Sequence, residues 1–179
     1  MKILLAIARA IDAVNERVGR GLRWLVLVVA LVSAANAVAR YGLNLSSNAW
    51  LEIQWYLFGA IFLLGAGYTL KHNGHVRVDV LYGRASPRRQ AWIDLVGAVL
   101  FLLPLCGLML WLSWPGFAES WRLGETSPDA GGLIRWPVRL LIPLGFALLG
   151  LQGLAEVIKR IAFLRGAFEL TLERPVVEE

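Results

Sequence analysis

Four stretches of the chain run long without an acidic or basic residue. Trp24–Ala39 holds 16 residues, Ile53–Leu70 18, Leu95–Ala118 24 and Leu140–Ala155 16. A helix that crosses a bilayer needs roughly 20 mainly apolar residues. The first and last stretches are short for that. Their flanking Arg and Lys stems can lie along apolar surface with the charged heads in water. Tyr41, Leu43, Trp136 and Val157 extend them further. One such run fits a buried helix of a soluble protein; four in one small chain do not. The pattern predicts an all-α polytopic membrane protein, one membrane domain over 1–179. Its spans fall near 22–43, 50–71, 91–114 and 136–158.

The start of the chain has a different pattern. Leu4, Ile7, Ile11, Val14 and Val18 recur at helical spacing, while Arg9, Asp12, Glu16 and Arg20 fall largely on another face. This predicts an N-terminal amphipathic interfacial helix over 1–20, lying against lipid headgroups. Charges interrupt the segment throughout, which argues against a cleaved signal peptide. The final stretch, 166–179, is expected to be a cytoplasmic tail.

Tryptophans and charges orient the spans. Trp24, Trp50, Trp92 and Trp136 stand at or just before the four span starts, and Trp111 and Trp114 near the end of the third. An indole has an apolar body and one donor, so it favours the headgroup boundary. Of the 18 Lys and Arg, four lie on one expected side: Arg40, Arg122, Arg135 and Arg139. The other 14 lie in the N-terminal segment, in Lys71–Arg89 and in the C-terminal segment. Cytoplasmic loops collect Lys and Arg. Both termini and the middle loop are therefore expected inside.

Composition narrows the chemistry. The chain is 58% apolar and 17% charged, with a mean hydropathy of +0.60. A soluble domain has about 45–50% apolar and about 25% charged residues, so a soluble enzyme is a poor fit. The net charge of +5 is accounted for by topology, and no nucleic-acid partner is expected. The single cysteine, Cys106, excludes an internal disulfide or a CxxC pair.

Several residues invite a functional reading. His72 and His75 are three apart, but no cysteine or carboxylate cluster completes a metal set, so no metal or cofactor is expected. The loop that carries His75, Arg77 and Asp79 is expected to be a turn followed by an interfacial helix toward Pro87. Glu52 and Asp94 open the second and third spans, and Glu156 closes the fourth. None stands at mid-span, where a proton or ion path would need it and where charge costs most. They read as helix anchors, with Arg135 and Arg139 as structural or partner-contact candidates. Glu52 is expected to pair with Arg40, Arg135 or Arg139. No catalytic, cofactor, metal or substrate residue is assigned. Two classes fit helices without internal chemistry: a non-catalytic subunit packed against another membrane protein, or an autonomous small carrier or membrane redox protein.

Three stretches add a resemblance: Trp50-Leu-Glu-Ile-Gln-Trp-Tyr-Leu-Phe58; Leu64-Gly-Ala-Gly-Tyr-Thr-Leu-Lys-His-Asn-Gly-His-Val-Arg-Val-Asp79; and Gly124-Glu-Thr-Ser-Pro-Asp-Ala-Gly-Gly-Leu-Ile-Arg-Trp136 leading into Leu141-Ile-Pro-Leu-Gly145. Taken together, and over nearly the whole chain, they resemble the small membrane subunit of TRAP (tripartite ATP-independent periplasmic) transporters, the DctQ-like small permeases. The resemblance implies a bacterial inner-membrane scaffold for a large membrane subunit, which moves a solute inward with sodium. It implies a periplasmic solute-binding protein as the third partner, membrane lipids around all of them, and an organic acid as solute.

Overall fold

The computed structural model describes residues 1–45, 47–75, 82–83 and 85–168. Within these residues the chain is helical, and four helices are long and apolar enough to cross a membrane: α1 Lys2–Gly42, α2 Asn48–Lys71, α3 Pro87–Leu123 and α4 Trp136–Leu164. Residues 50–71, 91–114 and 136–158 fall in α2, α3 and α4, and residues 22–42 in α1, which ends one residue before the expected bound of 43.

The first helix differs from expectation. The amphipathic segment and the first span form one uninterrupted helix of 41 residues, roughly 60 Å at 1.5 Å per residue. The expected boundary, between an interfacial helix over 1–20 and a span from about 22, falls at Gly19-Arg20-Gly21. Glycine weakens a helix but does not clash with it, and Gly19 is held: a β-carbon there would strike the Tyr68 ring of α2. Packing therefore carries the helix through the weak point.

The third helix is also longer than expected. Residues 115–123, assigned from sequence to the outward loop, are helical. Pro115 removes one backbone donor, which bends a helix without having to end it. The helix stops at Gly124, whose left-handed backbone (φ 58°) suits glycine. Earlier in α3, residues Ala98–Leu102 form a π segment, just before Pro104. The wider turn accommodates a ring that cannot donate to the preceding turn.

α4 is the hub. It packs against α1, α2 and α3, while α3 packs chiefly on α4 and α1 pairs with α2 and α4. Seven residues of α4 are buried: Pro143, Gly145, Gln152, Gly153, Ala155, Arg160 and Ala162. Small residues let its neighbours approach closely, as membrane helices require. At Gly145 a β-carbon would come within 2.8 Å of the Leu63 carbonyl oxygen of α2. At Gly153 it would lie 3.0 Å from Leu102 of α3. Many large apolar side chains face outward; Phe62 is 79% exposed and Trp111 78%. In a bilayer, lipid or another membrane protein covers such surface without penalty.

Candidate functional site: polar clusters at the two ends of the bundle

At the end of the bundle that the Lys and Arg distribution predicts to face outward, the outer end, α2 presents Asn48, Glu52 and Tyr56 at i, i+4 and i+8, on one helix face. All three hold the loop between α3 and α4. The Asn48 amide donates to the Ala130 carbonyl at 3.1 Å. The Tyr56 hydroxyl donates to the Ile134 carbonyl at 3.1 Å. Between them, Glu52 is 4% exposed. Its carboxylate accepts from the Leu133 amide at 2.6 Å and from the Ser127 hydroxyl.

The loop is shaped to meet them. Thr126 and Ile134 form an antiparallel bridge. The Ser127 amide donates to Leu133 at 2.9 Å, and the Arg135 amide to Glu125 at 2.8 Å. Gly131 takes a positive φ of 71°. Gly132 admits no side chain, since a β-carbon would strike Ser127 and lie 2.9 Å from Glu52 Oε1. The Trp121 and Trp136 rings meet edge to face, 4.4 Å apart, closing the base of the loop.

Glu52 therefore pairs with a hydroxyl and a backbone amide, not with arginine as expected. Arg139 is engaged elsewhere, with Glu125 at 2.6 Å and the Gly116 carbonyl at 3.3 Å. Arg135 starts α4 and acts on Glu52 through space. Its buried Nε has no hydrogen-bond partner among the described residues. Arg40 is exposed at the end of α1.

The inner end is more highly charged. Gln152 and Asn15 are fully buried. The Asn15 amide donates to Gln152 Oε1 at 3.0 Å. The Gln152 amide donates to Asp12 at 2.7 Å and Glu156 at 3.1 Å. Lys159 joins Asp12 at 3.1 Å and Glu156 at 2.5 Å. Arg160, 6% exposed, bonds Asp94 of α3 at 3.0 Å and Glu156 at 3.3 Å. The Tyr82 hydroxyl donates to Asp94 at 2.8 Å. Across the α1–α2 contact, Glu16 meets Lys71 at 2.6 Å and His72 at 2.9 Å. Gly67 lies hard against the Asn15 side-chain oxygen Oδ1 and has no room for a side chain.

The residues singled out from sequence thus separate into two clusters. Glu52, Arg135 and Arg139 belong to the outer one, and Asp94 to the inner one. His75 lies exposed in the bend after α2, and it is His72 that contacts a carboxylate. Arg77 and Asp79 lie outside the described residues, as do the rest of residues 76–81 and residue 84 of the loop expected to form a turn and an interfacial helix. Among the described residues, no group of three His, Cys, Asp or Glu side chains is placed to hold a metal ion.

Sequence reasoning missed Asn15, Gln152 and the polar partners of Glu52. A signal for the last was present: Asn48, Glu52 and Tyr56 share a helix face opposite a Ser-Pro-Asp…Gly-Gly loop. Gln152 is a lone amide in an apolar run, and only its i+4 relation to Glu156 marked it.

Comparison with known proteins follows the same lines. Residues 29–163 match the family described as Tripartite ATP-independent periplasmic transporters, DctQ component. The C4-dicarboxylate TRAP transporter small permease protein DctQ of Pseudomonas aeruginosa is 33% identical over 107 residues, covering 59% of this chain and 50% of that protein. The ectoine TRAP transporter small permease protein TeaB of Halomonas elongata is 26% identical over 136 residues, covering 76% of this chain and 69% of that protein. The first match therefore spans about half the length of that relative. No solved structure matches the chain.

Proposed function

From the premise that this chain belongs to the DctQ family of TRAP transporter components, we propose that it is the small, non-catalytic permease subunit of a sodium-coupled importer. In this reading it is a scaffold for a large membrane subunit, which takes an organic acid from a periplasmic solute-binding protein. It lies in the bacterial inner membrane with both termini cytoplasmic, as the distribution of Lys and Arg suggests. The first half of α1 continues the first span on the inner side of the membrane.

One observation carries the scaffold reading. Two of the three carboxylates at the span ends join elements of this chain: Glu52 holds α2 to the outer loop and Asp94 joins α3 to α4, while Glu156 bonds Gln152, Lys159 and Arg160 of its own helix and so holds the side chains that reach Asp12 and Asp94. Groups committed to holding helices do not also need a solute. The two relatives are named for different solutes, a C4-dicarboxylate and ectoine, so the organic acid is argued from the family resemblance alone.

Co-purification and reconstitution test this. The tagged chain is expected to bring down a large, many-helix membrane protein from its native membrane. Liposomes holding the chain alone should show no uptake; adding the large subunit and the binding protein should give sodium-dependent uptake. Transport by the chain alone would establish the autonomous carrier instead.

A further inference from the structure

At the inner end, the first turns of α1 run beside the last turns of α4. Between them lies a cleft of about 310 Å³ lined by Lys2, Leu5, Ala8, Arg9, Asp12, Lys159 and Phe168. A turn places Phe168 there. Gly166 takes a positive φ of 70°, and the Ala167 amide donates back to the Ala162 carbonyl at 2.9 Å. Leu5, Ala8 and Phe168 make an apolar floor, and Ala8 is buried. The rim is cationic but unevenly neutralised. Lys159 is paired with Asp12 and Glu156. Lys2 and Arg9 form no ion pair with any described residue; Arg9 only donates to its own helix, at the Leu5 carbonyl, 3.3 Å away.

A cleft with two available cations over an apolar floor suits an anion with a hydrocarbon tail. The surroundings name the source. On the far side of the same turns of α1, Ile3 is 78% exposed, and Leu4, Ile7 and Val14 are exposed as well. Such a stripe belongs at the acyl boundary, beside a charged stripe facing water. We propose that this cleft binds one anionic phospholipid of the inner leaflet, its phosphate between Lys2 and Arg9 and an acyl chain against Leu5, Ala8 and Phe168. The site bridges α1 to α4; its place in the inner leaflet rests on the orientation proposed above, and the cleft itself does not depend on the transporter reading.

Native mass spectrometry of the full-length chain in neutral detergent, titrated with phosphatidylglycerol or phosphatidylcholine, tests the proposal. One equivalent of phosphatidylglycerol should be retained in preference. A basic side chain near an anionic membrane contributes about 1 kcal/mol, or roughly five-fold. Lys2→Gln and Arg9→Gln should each weaken retention by about that factor, and together by about 25-fold. Both positions are exposed, so these variants should fold, which circular dichroism checks. The control pair Arg17→Gln/Arg23→Gln removes the same charge from α1 away from the cleft and should leave retention within two-fold or so. Equal losses in both pairs would mean diffuse surface attraction and overturn the site. Full displacement by millimolar inorganic phosphate would make a free anion the ligand, also against the proposal. Retention that appears only after residues 169–179 are removed would make the chain's own tail the occupant, and would overturn it equally.

Discussion

The two ends of this bundle are held by different means. The outer end rests on one helix face of three side chains, which read a loop mainly through its backbone: two carbonyls and one amide, with a single hydroxyl beside them. The inner end rests on charged and amide side chains from α1, α3 and α4 that share partners, so that Gln152, Glu156 and Arg160 each contact more than one group. The outer arrangement depends on geometry. A carboxylate seated against Gly132 works only if that loop is in place. The inner one depends on charge balance within a partly buried cluster, where removing one member exposes the rest to an uncompensated neighbour. One end fixes the shape of a loop, and the other fixes the register of helices.

The contrast can be broken most strongly at the inner end. Arg160→Met removes the buried cation that bridges Asp94 and Glu156. The loss is expected to reach about 3 kcal/mol, because two carboxylates are left short of a partner. Titration with a denaturing detergent should show the midpoint fall, and the α3–α4 pair should separate first.

At the outer end, Glu52→Gln keeps an acceptor for the Leu133 amide but loses the charge that strengthens the bond. A cost of about 1–2 kcal/mol is expected. It should appear locally, as faster hydrogen exchange at the Leu133 amide with inner-end protection unchanged. Uniform loss of protection along the chain would show that the two ends are not separate units. The smallest effect belongs to Glu119→Gln. Glu119 meets Arg122 at 2.6 Å, but both side chains are more than half exposed. A change below about 0.5 kcal/mol is expected in the same titration.

Much of the fold was legible because a bilayer constrains composition so tightly. Runs free of charge had to be helices, since only hydrogen-bonded backbone crosses lipid. The misjudged points were local. An interfacial helix ending at 20 and a span from about 22 read as separate pieces in the sequence, but the helix runs unbroken through Gly19-Arg20-Gly21, where Tyr68 of α2 packs against Gly19. Pro115 reads as an end, but the bond it forfeits costs only one turn. The candidate site was half legible. Glu52 drew attention as an acid in an apolar setting, and a search for its opposite charge pointed to Arg40, Arg135 and Arg139. Its partners are a serine and a main-chain amide, and a backbone donor carries no signature in composition. Asn15 and Gln152 are neutral, so a reading built on charge passed over the most buried pair in the network.

Sodium dependence of the assembled transporter tests the central claim most directly. The claim is that the carboxylates at the span ends hold this chain in shape and bind no ion. Complexes of the large subunit with Glu52→Gln should be recovered in lower yield and give proportionately less uptake. In those that survive, the sodium concentration for half-maximal uptake and the steepness of the sodium response should match the unaltered complex. Normal recovery with a shifted sodium response would contradict the account and place Glu52 in the ion chemistry.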